Sequence, residues 1–255
     1  MSHWVRFEHN GRVGIGVLNG NVISVCRGDD ILKEPELSGE TFSIDAVTVL
    51  TPTSPSKMIV MFNNSHAIIA KKKGAIPDYP IFFLKPANTF LPHKQPIRLP
   101  HSHSSRVVLE GELGIVIGKT GKNISAEQAP GYIFGYTCVN DVTAQDILEH
   151  PSLPQHVYSK AFDTFGVFGP AVATGIDPYD LVIESWLNGE QCQQFSVRDY
   201  VFGPYELVSF LSQIMTLNPG DLISCGTSLG VAPLTPGDQV EIRIAGVGNL
   251  VNSVI

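Results

Sequence analysis

The sequence predicts a mainly β protein with a few short helices. Apolar, β-branched residues fall in short runs of strand length. Glycine (24) and proline (18) are spread through the 255 residues and break these runs into many turns. Only residues 204–215 show convincing helical periodicity, with Leu207, Val208, Leu211 and Ile214 on one side.

Taken in order, residues 4–26 read as an antiparallel unit. Strands at 4–7 and 13–18 flank a turn at His9-Asn10-Gly11-Arg12. Asn19-Gly20 is a two-residue hairpin signal leading into a strand at 21–25. A polar stretch, 27–45, precedes an apolar run at 46–50. Thr51-Pro52-Thr53-Ser54-Pro55 reads as an inter-domain linker, giving a small N-terminal β domain over 1–50 and a second domain over 51–255. That domain opens with a strand at 58–62. A helix over 66–73 stops at Gly74, and strands follow at 81–84 and 107–117. Ser125 is placed to cap a helix over 125–130. A strand at 132–139 delivers Asn140-Asp141 to its end, where a turn of helix over 142–148 can start. Later strands fall at 170–173, 182–187, 222–224 and 240–244, with Asn188-Gly189 as a hairpin turn.

The net charge of −7 gives no reason to expect nucleic acid or an anionic membrane as partner. The longest basic cluster, Lys71-Lys72-Lys73, reads as a solvated helix end. No basic segment followed by an apolar core opens the chain, and no uninterrupted apolar stretch approaches membrane-spanning length. Cys26, Cys138, Cys192 and Cys225 form no CxxC pair, which suits reduced thiols in a cytoplasmic protein. Cys138 and Cys225 lie in apolar surroundings and read as small core residues.

Two glutamates, Glu110 and Glu112, interrupt the apolar run at 107–117. Side chains alternate along a strand, so both point to one face, while Val107, Leu109, Leu113, Ile115 and Ile117 make the other face wholly apolar. Like charges side by side repel, by roughly 0.2–1 kcal/mol when exposed and more when buried, so something positive belongs on that face. A hard divalent cation is one candidate, since carboxylates supply oxygen ligands. A solvated edge strand is the other. Asp141 is either a third carboxylate of the same site or the N-cap of the following helix. Gly226-Thr227-Ser228 is either a plain turn or a backbone-and-hydroxyl cradle for a carboxylate.

In order, these residues resemble the fumarylacetoacetate hydrolase family. The resemblance runs through Phe83-Leu84-Lys85-Pro86, Glu110-Gly111-Glu112-Leu113 and Asn140-Asp141-Val142-Thr143-Ala144. It continues through Lys160-Ala161-Phe162-Asp163, Pro219-Gly220-Asp221 and Gly226-Thr227, from about residue 58 to the C-terminus. It implies a mixed-β roll as catalytic domain, preceded by a small β domain, in a chain that forms a homodimer. It also implies Mg²⁺ or Mn²⁺ held by Glu110, Glu112 and Asp141. Lys160 then matches the lysine that faces substrate oxygens beside the metal. Thr227, with Gly226, matches the contact to a substrate carboxylate. Lys85 is structural or lines the pocket as a substrate contact.

The implied activity is a metal-dependent enzyme that forms a metal-bound enolate of a small 2-oxo acid or 2-hydroxydienedioate. Decarboxylation or isomerisation/tautomerisation follows. Asn63-Asn64-Ser65-His66-Ala67 resembles the segment that supplies a catalytic histidine. In many members a glutamate three residues later helps that histidine to activate water. Ile69 stands there in this chain, which moves the expectation away from C–C hydrolysis of acylpyruvate or fumarylacetoacetate-type diketo acids. His66 then acts as a lone base or is structural, with Glu149 a candidate replacement partner. The last alternative, a binding protein with lapsed catalysis, is opposed by the intact carboxylate set.

Overall fold

In the computed structural model, which describes residues 1–33, 35–100, 102–152 and 155–255, the N-terminal hairpins follow from their turn residues. Asn10 and Gly11 both take left-handed φ values (52° and 76°) between the strands Ser2–His9 and Arg12–Asn19. The next turn is Gly20-Asn21, one residue later than expected, because Asn19 pairs with Val22. Gly20 supplies the left-handed φ of 56°. A fourth strand, Leu37–Ser43, lies in the polar stretch at the sheet edge. It carries no apolar alternation that could have announced it.

Ser2–His9 pairs on its other side with Gly166–Thr174, so the N-terminal strands continue a 12-stranded sheet. The sheet proceeds through Ile133–Asp141, Gly111–Ile117, Leu222–Ser224 and Met58–Phe62 to Ile81–Lys85. Along that path only Leu222–Ser224 and Met58–Phe62 run parallel. A 4-stranded antiparallel sheet is built from Val182–Leu187, Glu190–Ser196, Gln239–Ile244 and Gly248–Ser253.

Alternation along Gly111–Ile117 divides the core. Leu113, Ile115 and Ile117 join Val240, Ile242 and Leu250 of the smaller sheet. Val116 faces the other way and joins Met58, Phe168 and Leu222, with Ile15 and Cys26 reaching in from the N-terminal strands. Each such fully buried aliphatic side chain contributes roughly 1.5–3 kcal/mol. The segment at 51–55 is packed down: Pro52, Thr53 and Pro55 are buried, and the Thr53 hydroxyl donates to Gly220 O (3.1 Å).

Three α-helices occur among the described residues. His66–Lys72 is capped by Ser65, whose Oγ accepts from Ile68 N. Gln145–Leu148 starts later than expected because Thr143–Ala144 first pairs with Val107–Leu109. Pro204–Ile214 buries Leu207, Val208 and Leu211, whereas Ile214 at its end is exposed. Residues 125–130 form a turn running into a 3-10 segment, Ala129–Gly131, instead of an α-helix. Ser125 Oγ accepts from Gln128 N (3.4 Å), but Pro130 and Gly131 stop propagation. All four cysteines are free thiols, with Cys138 and Cys225 in the core.

Candidate active site

The run at 107–117 is two strands, broken at Glu110. Val107–Leu109 pairs with Thr143–Ala144 and Ala232–Pro233, while Gly111–Ile117 lies inside the large sheet. Side chains satisfy the backbone at the break. Glu110 N donates to Asn140 Oδ1 (3.0 Å) and Gly111 N to Gln193 Oε1 (3.0 Å), while Asp141 N donates to Glu110 O (2.9 Å). Residue 111 must be glycine, since a Cβ there would lie 2.1 Å from Ser185 Oγ.

This geometry brings Glu110, Glu112 and Asp141 together, with one oxygen from each lying within 4.8 Å of the others. Their exposures of 9%, 1% and 0% exclude the solvated edge strand. Asp141 caps no helix, because the N-cap position is Ala144. Two ammonium groups meet the carboxylates. Lys160 Nζ donates to Glu110 Oε2 (2.8 Å) and to Asp141 Oδ2. Lys85 Nζ donates to Asp141 Oδ1 and to Phe165 O (2.6 Å). Glu112 has no lysine of its own; its Oε2 accepts from Ser224 Oγ (2.5 Å) and Gly226 N (2.8 Å).

Protonation follows from these contacts. Burial, then the nearby Asp141 charge, pushes Glu112 well above the usual carboxylate range. Burial also raises Glu110, opposed by Lys160. Asp141 is pushed up by burial, but Lys160 and Lys85 outweigh this and hold it below the usual range. Burial disfavours the Lys160 ammonium, yet Asp141, Glu110 and Glu112 together raise its pKa, so it stays charged at neutral pH. Three carboxylates thus meet two ammonium groups, and Glu112, the one without an ammonium partner, is the one pushed well above the usual carboxylate range.

A cavity of about 480 Å³ opens above Glu110, Glu112 and Lys160. Phe62, Ile68, Leu148 and Val231 give it apolar walls, and Thr227 lies beside the floor. The Thr227 hydroxyl donates to Gly111 O (3.0 Å) and accepts from Gln193 Nε2 (3.0 Å).

A family model described as fumarylacetoacetate (FAA) hydrolase C-terminal matches residues 57–255, and one described as Rv2993c-like, N-terminal matches residues 2–52. The chain belongs to the fumarylacetoacetate hydrolase family. Its architecture is the mixed-β fold of that family. The oxaloacetate tautomerase YisK of Bacillus subtilis is 35% identical, over 87% of this chain and 78% of YisK. A 5-carboxymethyl-2-hydroxymuconate delta-isomerase from Mycobacterium smegmatis superposes with a TM-score of 0.90 at 32% identity, over 99% of both chains. The maleylpyruvate hydrolase of Sphingobium sp. SYK-6, solved with manganese(II) and pyruvate, gives 0.81 at 28% identity, over 99% of this chain and 98% of that one.

Within this site, three converging carboxylates offer only oxygen donors, and one of them, Glu112, has no ammonium partner. Both features fit a hard divalent cation such as Mg²⁺ or Mn²⁺. Asn140 Nδ2 is a further buried polar atom without a protein partner among the described residues. Lys160 and Thr227 line the cavity. Three expected site residues sit elsewhere. Lys85 is fully buried behind Asp141 and does not line the cavity, so it braces a carboxylate instead of contacting substrate. Gly226, at φ 99°, turns its amide onto Glu112 and thereby positions it. His66 is exposed in the first turn of its helix and is not among the cavity-lining residues, while Ile69 beside it is buried. Glu149 does line the cavity.

Sequence reasoning missed Ser224 and Gln193. For Gln193 a signal existed: in the polar strand Glu190–Ser196 it shares parity with Phe195, and both are buried. Ser224 is one of many serines, and its contact with Glu112 joins residues 112 positions apart.

Proposed function

We propose that the chain catalyses keto–enol tautomerisation or isomerisation of a small 2-oxo acid, with Mg²⁺ or Mn²⁺ held by Glu110, Glu112 and Asp141. The observation that carries this is the Lys160 ammonium, fixed among the three carboxylates at the floor of an apolar-walled cavity. The metal, when bound, supplies a Lewis acid beside the substrate oxygens. Lys160 supplies a fixed positive charge next to the oxygen that becomes an enolate. Held in place by Glu110 and Asp141, that ammonium is set to stabilise the developing charge. Thr227, tied to Gly111 O, holds its loop against the Glu110–Glu112 segment. The walls at Phe62, Ile68, Leu148 and Val231 limit water around the reacting carbons.

Decarboxylation of a 2-oxo diacid shares the first step, and product analysis separates it from tautomerisation. Hydrolysis of an acylpyruvate additionally needs an oriented water. Burial of the Ile69 side chain beside His66 disfavours that reading. Relatives named as a tautomerase and an isomerase are 35% and 32% identical to this chain, against 28–29% for solved structures named as hydrolases. The test uses Mg²⁺-loaded protein. Decay of the oxaloacetate enol absorbance and deuterium exchange at C3 are followed in parallel with acid release from acylpyruvates. Accelerated enol decay and exchange are expected. Efficient acylpyruvate cleavage with neither of them would overturn the proposal.

A further inference from the structure

The cavity is chemically two-ended. Its floor is the buried Glu110, Glu112 and Lys160. Its exposed mouth carries Lys71 and Lys72, from the end of the His66–Lys72 helix, and Arg106, immediately before the Val107–Leu109 strand. Phe62, Ile68, Leu148 and Val231 add apolar lining to the same cavity. Lys72 Nζ lies 5.7 Å from the ring centroid of Phe62, itself a wall residue. One carboxylate, Glu149, also lines the mouth, and its Oε1 already accepts from Gln145 Nε2 (3.0 Å). Three cations against one anion leave the mouth positive.

Arg106 is the best placed of the three cations. Its main chain is clamped on both sides: its N–H donates to Ser104 Oγ (3.3 Å) and its C=O accepts from Gln145 N (2.8 Å). Among the described residues the arginine ion pairs are those of Arg198 and Arg243, so the Arg106 guanidinium has no carboxylate partner. Lys71 and Lys72 sit on the last turn of a short helix and are held less firmly. A guanidinium also presents a planar fork that matches a carboxylate in two hydrogen bonds.

We propose that Arg106 is a specificity-determining residue that takes the distal carboxylate of the substrate, with Lys71 and Lys72 reinforcing the field. The preferred ligand is then a 2-oxo dicarboxylate whose two ends are joined by hydrocarbon. The 2-oxo acid end lies on the floor, the hydrocarbon against the walls, and the second carboxylate at the mouth. This rests on the 2-oxo acid reading of the floor.

The test compares two ligands of equal chain length by calorimetry on Mg²⁺-loaded protein. One is 2-oxoadipate; the other is 2-oxohexanoate, which ends in a methyl group. The diacid should bind about 10–100-fold more tightly, as a charge-assisted bidentate contact implies. In Arg106→Ala the ratio of the two affinities should collapse towards one, and Arg106→Lys should keep part of it. Mg²⁺ affinity, measured on the same samples, reports that the floor is intact. Equal affinities in the unmodified protein, or an unchanged ratio in Arg106→Ala, would overturn the role of Arg106. Failure of both ligands to bind while Mg²⁺ binds would overturn the 2-oxo acid reading itself, and this inference with it.

Discussion

Replacing Lys85 by methionine separates bracing from substrate contact. The Lys85 side chain is 0% exposed, and its Nζ donates to Asp141 Oδ1 and to Phe165 O (2.6 Å). Methionine fills similar volume but removes the charge and the donors. Asp141 then keeps one of its two ammonium partners, and the Phe165 carbonyl loses a hydrogen bond. Breaking a buried ion pair from one side costs about 3–5 kcal/mol, which already contains most of the carbonyl penalty. For a chain of this size each kcal/mol lowers Tm by about 2–4 °C, so the metal-free variant should melt roughly 6–20 °C below the unmodified protein. The carboxylate cluster meanwhile loses one of its two ammonium partners. A divalent cation should therefore bind the variant more tightly and narrow the gap in Tm. Thermal unfolding followed by circular dichroism, repeated across a Mg²⁺ series, measures both effects. A metal-free Tm within about 2 °C of the unmodified protein, or a gap that widens with Mg²⁺, would refute the bracing role.

Three further outcomes follow from the same geometry. Lys160→Met should lower turnover by about 2–4 kcal/mol of transition-state stabilisation, roughly 30–1,000-fold, while Mg²⁺ affinity measured by calorimetry should not fall, because this variant too removes an ammonium from the carboxylates. Unchanged turnover in a folded variant would remove Lys160 from the chemistry. Glu112→Gln should abolish measurable Mg²⁺ binding, since Ser224 and Gly226 can still hold the side-chain oxygen but the anionic charge is gone; retained affinity would exclude Glu112 as a ligand. Burial, with a lesser push from Lys94, lowers His93 from its ordinary 6.5 to about 4. The folded state thus resists a proton that the unfolded chain accepts. Its contribution is present above pH 6.5, is lost as pH falls towards 4 and is constant below, amounting to about 2–3 kcal/mol after solvent screening. Urea unfolding at pH 7 and pH 4.5 should show a smaller loss in His93→Gln, and equal losses would refute this.

Much of the fold was legible where local chemistry decides it. Asn10-Gly11 and Asn188-Gly189 made their hairpins because left-handed φ is cheap at those residues. The apolar face at Leu113, Ile115 and Ile117 was buried as its alternation required. Local patterning failed at Leu37–Ser43, whose strand character comes from pairing with Val22–Cys26 and not from its own residues. It failed again at 125–130, where Pro130 and Gly131 outweighed the cap.

The site divides in the same way. Glu110 and Glu112 stood out because two carboxylates in an apolar run demand compensation, and the resemblance supplied Asp141. The compensation itself could not be read from spacing. Lys85 and Lys160 lie 56 and 19 residues from Asp141, and charge neutrality is a property of the folded cluster. Lys85 and Lys160 carry the same charge and are both buried, yet they do different work. Lys160 lines the cavity, whereas Lys85 is sealed beneath Asp141 and bonded to backbone carbonyls. Lys160, and not Lys85, reaches the cavity. At the break the Glu110 backbone bonds Asn140 and Asp141, and Glu110, Glu112 and Lys160 line the cavity together.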